Sequence, residues 1–272
     1  MVKPLPLGMI IGEELSDWER QYPALNILRR VVMPDHVHFV VFVEERIAVP
    51  LGALIAVFKK NCTQRLWAML PELRGRKVPM FEDGFNDKIA FRAGAKDAFY
   101  AYVADNPRRY LIKKFYPDYF YHKVMIEVDG KRYGLYGNLC LLDEPVKASV
   151  KIKRDKSKMP ELPVRIKEWE EVIRCGGVLV SPFINPEEKV YRDMAIAAGA
   201  PLILVVNYCF SERKKPYKEL FELCGEGRLL IVTNERYERA PDRIPYAEAQ
   251  EMNELARKIA ELAPGAARQV PR

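Results

Sequence analysis

The second half of the chain alternates short apolar segments with amphipathic ones, and this alternation restricts the fold more than any other feature. Segments 178–181 (VLVS), 202–206 (LILVV) and 228–232 (RLLIV) have the length and composition of buried strands. Helical patterns separate and flank them at 166–174, 187–199, 216–224 and 246–262. Buried strands that alternate with helices form parallel sheets, because each helix returns the chain across the sheet. The sequence therefore predicts an α/β Rossmann-like C-terminal domain with a parallel sheet.

The first half has a different pattern, which predicts an α+β domain with a ferredoxin-like or RRM-like antiparallel sheet and helices. Segments 27–33 and 36–43 are rich in Val, Ile and Phe and predict strands, with a bend or bulge at Pro34 and Asp35 between them. Asn106 is expected to cap a further helix that starts at Pro107. Helical patterns occupy 13–22, 50–70 and 95–104, and 71–88 is expected to be a loop.

The middle of the chain is interpreted as a connection between these two domains. Residues 124–141 have the pattern of a hairpin with Asp129-Gly130 at the turn. Residues 145–165 are basic and bounded by prolines, which favours a solvated linker, with a contact to DNA phosphates as the alternative. The predicted regions are therefore 1–123, 124–164 and 165–265.

Composition sets few limits on function. The 272 residues carry a formal net charge of +7, which permits a nucleic-acid partner without requiring one. Five cysteines without CxxC spacing argue against disulfides and zinc sites and favour a reducing compartment. We expect a cytoplasmic protein with no membrane partner, because there is no run of about 18 apolar residues and residues 1–15 lack the pattern of a signal peptide.

Two of the three histidines, His36 and His38, lie two positions apart in a predicted strand. Alternate residues of a strand point to the same face of the sheet, so both imidazoles are expected to project together and share one metal ion. Oxygen ligands would complete a site for Mg²⁺ or Mn²⁺. The spacing alone leaves open that they are two half-exposed strand histidines without a ligand.

The residues around this pair resemble a known family. VVMPDHVHFVV, at 31–41, is similar to the "MPNHVH" signature of the single-tyrosine, His-hydrophobic-His (HUH) transposases, especially the REP-associated type. Three other segments resemble the same group in order and spacing, over roughly residues 6–120. They are PLGMIIGEELSDWERQYPALNILRRVV before the signature, and FEDGFNDKI (81–89) and FYAYVADNPRRY (99–110) after it.

The resemblance implies an enzyme that cleaves and rejoins single-stranded or hairpin DNA through a 5′-phosphotyrosine intermediate, with Mg²⁺ or Mn²⁺, as a monomer or homodimer. It implies that His36 and His38 bind the metal and that Tyr102 is the nucleophile. Tyr100 is the competing choice, although a helix places the two tyrosines on different sides. From spacing alone, aromatic residues on a helix more often pack in a core, and this alternative stays open for both tyrosines.

The third metal ligand is less well defined by the resemblance. In related transposases it often lies one helical turn after the tyrosine, which is Asn106 here. Asp105 and Asp87 are the other oxygen donors considered, and Asn86 replaces the histidine usual in the family.

The expected chemistry explains why these groups are needed together. A phosphodiester is anionic, and a divalent ion on a non-bridging oxygen offsets that charge and orients the group for in-line attack. A tyrosine oxygen then forms a phosphotyrosine link that conserves the energy of the phosphodiester. The basic residues that follow the tyrosine are expected to contact the DNA backbone, with a solvated helix face as the alternative. They are Arg108, Arg109, Lys113 and Lys114.

The second half resembles another DNA-binding family. Residues 176–206 (GGVLVSPFINPEEKVYRDMAIAAGAPLILVV) and 215–232 are similar to the Rossmann-like domain of the DNA-processing protein A (Smf) family, which binds single-stranded DNA. Helix N-termini bind phosphates, so Ser181, Asn185 and Lys189 are expected to contact a DNA backbone; a capped structural helix is the alternative. The sequence has no GxGxxG or Walker pattern, so no dinucleotide or ATP site is expected.

One departure from the first family affects the functional prediction. Its members usually have an additional strand before the PLG segment, so the N-terminal sheet is expected to lack its first strand. The alternative function is therefore a catalytically inactive, DNA-binding remnant of such a transposase. A metal-dependent hydrolase acting on an unrelated substrate has no support in the sequence.

Overall fold

The structure is a computed structural model, which describes residues 6–212 and 214–272. Residues 1–5, the start of the segment considered as a signal peptide, lie outside the described residues. The chain divides into two compact units between Leu111 and Ile112. The first contains a two-stranded antiparallel sheet with helices and the second a seven-stranded mixed sheet with helices, which confirms the predicted fold class. None of the helices in the described ranges is long and apolar enough to cross a membrane.

The described part of the first unit, from residue 6 onward, is built on a two-stranded ribbon with four helices along the chain. Its elements are α1 (Pro6–Gln21), β1 (Leu25–Val32), β2 (Val37–Val43), α2 (Leu51–Met69), α3 (Pro71–Gly75) and α4 (Ala95–Phe115). The short helix α3 lies in the segment predicted as a loop. Helix α4 extends past the boundary into the second unit.

Helices α1 and α2 cover one face of the ribbon and form the core of the first unit. The Trp18 ring of α1 lies 5.8 Å from the Phe39 ring of β2, edge-on, and 5.9 Å from the Phe58 ring of α2. Arg65 on α2 forms ion pairs with Glu13 and Glu14 on α1, at 2.9 Å and 2.8 Å. The apolar packing and the ion pairs together fix both helices on the same face, so the opposite face of the ribbon remains for α4.

A β-bulge in β1 reverses the alternation of side chains along the ribbon. Ile27 pairs with Val41 on the core face, but the register shifts between Ile27 and Arg29, and Arg29 pairs with Val40 on the opposite face. An extra residue in one strand has this effect because side chains alternate with a period of two. The bulge therefore lies within the strand, in addition to the predicted bend at Pro34 and Asp35.

Helix α4 is one continuous helix of 21 residues, and the prediction of two helices with Asn106 as an N-cap is wrong. Pro107 lies inside it, although a proline cannot donate the usual backbone hydrogen bond. The Asn106 amide nitrogen donates to the Tyr102 carbonyl oxygen at 2.7 Å, so a side chain adds a local hydrogen bond one residue before the Val103 carbonyl, which Pro107 leaves without its usual backbone donor.

The second unit contains the elements after α4. They are β3 (Tyr121–Val128), β4 (Lys131–Gly137), β5 (Lys147–Ser149), α5 (Leu162–Arg174), β6 (Val178–Ser181), α6 (Pro186–Ala198), β7 (Leu202–Tyr208), α7 (Glu219–Gly225), β8 (Leu229–Tyr237), α8 (Tyr246–Glu261) and β9 (Arg268–Pro271), with short 3-10 helices at Pro117–Tyr119, Leu139–Leu142 and Lys156–Lys158. The strand order is β5-β6-β7-β8-β4-β3-β9. Strands β5 to β8 are parallel, and the other pairings are antiparallel.

Two apolar layers bury the two faces of this sheet. One layer centres on Trp169 of α5, Ala195 of α6 and Phe221 of α7, each 0% exposed. The other layer covers the opposite face of the sheet, where Met252 and Ile259 of α8 pack against β6, β7 and β8. Strands buried on both faces explain the uninterrupted apolar segments from which the parallel sheet was predicted.

The region predicted as a separate hairpin and linker belongs to the second unit. The hairpin β3–β4 forms as expected, with positive φ at Asp129 (50°) and Gly130 (71°), and β4 pairs with β8. Lys147–Ser149, within the predicted linker, pairs in parallel with β6. The predicted boundaries at 123 and 164 therefore differ from the observed boundary at 111, because strand pairing with distant residues incorporates both segments into one sheet.

Candidate functional site

A tight turn between β1 and β2 brings the two histidines together. The Met33 backbone nitrogen donates to the His36 carbonyl oxygen at 2.8 Å, with Pro34 and Asp35 in the turn. The Nε2 atoms of His36 and His38 are 3.0 Å apart, and their ring centres are 4.7 Å apart at 85°. Both imidazoles thus point to one place on the face of the ribbon that α1 and α2 leave uncovered.

The separation of these nitrogen atoms fits a shared metal ion. Two ligand atoms about 2.1 Å from an octahedral ion, at right angles, are about 3.0 Å apart. The Nδ1 atom of His36 lies 2.7 Å from an Asp35 carboxylate oxygen, which favours a proton on Nδ1 and leaves Nε2 as the ligand atom. In the described ranges no cluster of three His, Cys, Asp or Glu side chains occurs. The pair would therefore be completed by water, a substrate oxygen or an amide oxygen.

The phenol of Tyr102 lies beside this pair, whereas Tyr100 does not. The Tyr102 ring centre is 5.4 Å from that of His38, at an interplanar angle of 76°, and the side chain is half exposed. Two residues along a helix correspond to a rotation of about 200°, and Tyr100 instead contacts Arg29 and Lys96. Of the two tyrosines considered from sequence, Tyr102 is the one that shares a site with the histidines.

Asn106 is buried one turn beyond Tyr102, with 5% of its surface exposed. Because its amide nitrogen is occupied by the Tyr102 carbonyl, the amide oxygen is the end that remains as an acceptor. The other candidate oxygen donors are less suitable. Asp105 binds Arg108 through both carboxylate oxygens, at 2.6 Å and 3.0 Å, and Asp87 is an exposed loop residue.

The basic residues predicted to bind DNA have mixed environments. Arg108 is engaged by Asp105, and Arg109 is partly buried on the same helix. Lys113 belongs to the second unit, where its ammonium lies 5.9 Å from the Phe120 ring centre. The charge of Arg108 is therefore already partly compensated within the protein.

The expected phosphate site at the start of α6 is occupied by the protein itself. Ser181 is 0% exposed and its hydroxyl accepts from the Phe183 backbone nitrogen at 2.9 Å, so its prediction as a DNA contact is wrong. Asn185 and Glu188 form a capping box, and Glu188 also accepts from Ile152 at 2.9 Å. A buried carboxylate therefore takes the position expected for a phosphate. Lys189 is exposed on α6, where it is accessible to a ligand.

Two features of the site were not found from sequence. Asp35 contacts His36, and its place immediately before the histidine was the available signal. Arg29 lies on the same ribbon face as His38, but strict alternation from Ile27 would have placed it in the core. Comparison of the chain with protein-family models, with curated proteins and with solved structures found no match.

Proposed function

We propose that the chain is an HUH-type transposase-like enzyme, which cleaves and rejoins single-stranded DNA with Tyr102 as the nucleophile and Mg²⁺ or Mn²⁺ as the cofactor. The observation that carries the proposal is that three side chains meet at one face of the ribbon, two from the ribbon itself and one from α4. Two imidazole nitrogens lie 3.0 Å apart, and a half-exposed phenol lies against the second imidazole. A helix residue and two residues of the β1–β2 hairpin thus supply the groups that the proposed phosphotyrosine chemistry uses.

In this proposal, His36 and His38 would hold the ion through Nε2, and Asp35 orients the His36 ring through Nδ1. When bound, the ion offsets the charge of the phosphodiester and orients it. The Tyr102 oxygen loses its proton to solvent and attacks phosphorus, and the bond from phosphorus to the 3′ oxygen breaks. The 3′ oxygen leaves with the electron pair and takes a proton. The products are a 5′-phosphotyrosine and a free 3′-hydroxyl, and the reverse reaction rejoins strands.

The proposal assigns cleavage to the first unit. Strands β5 to β8 of the mixed sheet in the second unit are parallel, as the resemblance to the Smf family implies, and single-stranded DNA binding by this unit is part of the same proposal. Its support is weaker, because protein groups occupy the N-terminus of α6.

A covalent-adduct assay tests the proposed reaction. The whole chain is incubated with a labelled single-stranded hairpin oligonucleotide and Mn²⁺, and the denatured products are separated by electrophoresis. We expect an adduct with the wild type and with Tyr100→Phe, but none with Tyr102→Phe or with EDTA. The two tyrosine variants lose the same hydroxyl from positions two residues apart on one helix, so they are matched controls.

The outcomes separate the two candidate functions. An adduct that persists in Tyr102→Phe would exclude Tyr102 as the nucleophile. Oligonucleotide binding without any wild-type adduct would favour the inactive DNA-binding remnant. The absence of both would reject a DNA function for the chain under these conditions.

A further inference from the structure

We propose that Arg29 and Lys96 bind a backbone phosphate of the single-stranded DNA next to the phosphate held at His36 and His38. This proposal deepens the proposed function and rests on it for the identity of the ligand. It concerns binding, however, so it can be tested without any cleavage. It does not depend on the basic residues after Tyr102.

The β-bulge places Arg29 on the functional face. Arg29 pairs with Val40, and the next pair on that face is Val31 with His38, so Arg29 and His38 are diagonal neighbours across the ribbon. Such neighbours are about 7–8 Å apart, which is comparable with the separation of successive phosphates along an extended strand. Bulges often redirect one side chain beside a functional site. Without the bulge, the Arg29 side chain would be directed into the apolar core.

Helix α4 brings a second cation to the same place. The Arg29 guanidinium carbon lies 5.8 Å from the Tyr100 ring centre, and the Lys96 ammonium lies 5.7 Å from it. Both positive groups therefore lie against the same ring, where like charges repel. An anion bound beside them would reduce that repulsion, and a phosphate is the anion that the neighbouring site is proposed to receive.

Both charges remain available for a ligand. Among the residues that the structure describes, neither Arg29 nor Lys96 forms an ion pair with a carboxylate. Arg108, which lies on α4 like Lys96, is instead paired with Asp105. A cation over an aromatic ring keeps most of its N–H donors free to bind phosphate oxygens. The alternative is that these contacts only hold α4 against the ribbon, and the two roles predict different effects of salt.

The neighbouring residue Arg30 provides a matched control. It precedes Val31 in the same strand but points to the other face, where its guanidinium is 3.4 Å from the Gly12 carbonyl oxygen and 3.3 Å from the Ser16 hydroxyl. Arg29→Gln and Arg30→Gln therefore remove the same charge from the same strand on opposite faces. Only the first is expected to change DNA binding.

The test measures fluorescence anisotropy of a labelled single-stranded oligonucleotide in EDTA over a series of salt concentrations. We expect Arg29→Gln and Lys96→Gln each to weaken binding at low salt, and to reduce the slope of log affinity against log salt by about 0.7, the value for one phosphate contact on a single strand. Arg29→Lys should keep most of the slope, since it keeps the charge. Arg30→Gln should behave as wild type, and thermal unfolding is recorded for every variant.

A scan with neutral methylphosphonate linkages locates the contact. One position should weaken wild-type binding and have no further effect in Arg29→Gln. Equal losses in Arg29→Gln and Arg30→Gln, or an unchanged slope in Arg29→Gln and Lys96→Gln, would overturn the proposal. A slope change without any Tyr102 adduct would support it as a binding site while the proposed cleavage fails, so the two failures are distinguishable.

Discussion

Substituting aspartate for Asn106 tests two roles of this residue, as a ligand of the metal ion and as a hydrogen-bond donor that stabilises α4. The change keeps the shape of the side chain but replaces the amide that donates to the Tyr102 carbonyl at 2.7 Å by a carboxylate oxygen. The residue is 5% exposed, so water compensates poorly. Loss of such a buried hydrogen bond costs about 1–3 kcal/mol, which corresponds to roughly a 5- to 150-fold increase in the opening constant of the helix.

The loss of helix stability in Asn106→Asp should increase as the pH rises. Burial, and a hydrogen bond to the Tyr102 carbonyl that only the protonated acid can donate, both raise the pKa of the introduced carboxyl in the folded state. Below about pH 3.9, the unfolded value for aspartate, the carboxyl is protonated in both states and can still donate. Stability is then lost as the pH rises through the raised folded pKa, so the variant should be least stable near neutral pH.

A divalent ion should reverse much of this loss if Asn106 ligates through its side-chain oxygen. Carboxylates suit Mn²⁺ better than amides do, and an ion at about one hundred times its Kd stabilises the folded state by about 2.7 kcal/mol. The assay is amide hydrogen exchange across α4, read peptide by peptide by mass spectrometry. Mn²⁺ should slow exchange in Asn106→Asp more than in the wild type.

Asn253→Asp is the matched control for this measurement. Asn253 lies in α8 and donates its amide to the Ala249 carbonyl at 2.8 Å, the same four-residue arrangement as in Asn106. Its helix should lose protection, and Mn²⁺ should not restore it. Equal effects of Mn²⁺ on the two variants would refute the ligand role. Unchanged exchange in Asn106→Asp without metal would refute the structural role of the hydrogen bond.

Two further predictions concern the packing of each unit. Gly137→Ala should prevent folding of the second unit or cost more than about 4 kcal/mol, because its Cβ would lie 2.1 Å from the Leu229 carbonyl oxygen at a φ of 118°. Gly176→Ala, with positive φ but open space around it, should cost only about 1–2 kcal/mol in urea unfolding, and similar losses would contradict the steric argument. Burial raises the pKa of the Cys62 thiol to about 12, so native Cys62 should resist alkylation at pH 8 while exposed Cys140 reacts. Mass spectrometry of native and urea-unfolded protein measures this, and rapid native labelling of Cys62 would contradict it.

The candidate site was only partly accessible from sequence. The histidine pair was predicted from a period of two, and the separation of the two tyrosines from the geometry of a helix. The role of Asn106 as an N-cap was wrong, because capping propensity is local and the tertiary packing of α4 allowed the helix to continue through Pro107. The prediction that Ser181 contacts DNA was wrong for a related reason. The end of a strand can be identified from sequence, but its burial depends on distant segments.

What the sequence by itself determined is the order and class of the elements, because these depend on patterns within a few residues. Apolar segments bounded by helical patterns define β6, β7 and β8, and the Asp129-Gly130 pair defines the turn of the β3–β4 hairpin. Only the tertiary structure decided that β4 joins β8 and that β5 joins β6. It also decided that a bulge turns Arg29 toward the face of His38. Strand pairing and register are chosen by hydrogen bonds and packing between residues far apart in the chain, and no local pattern encodes that choice.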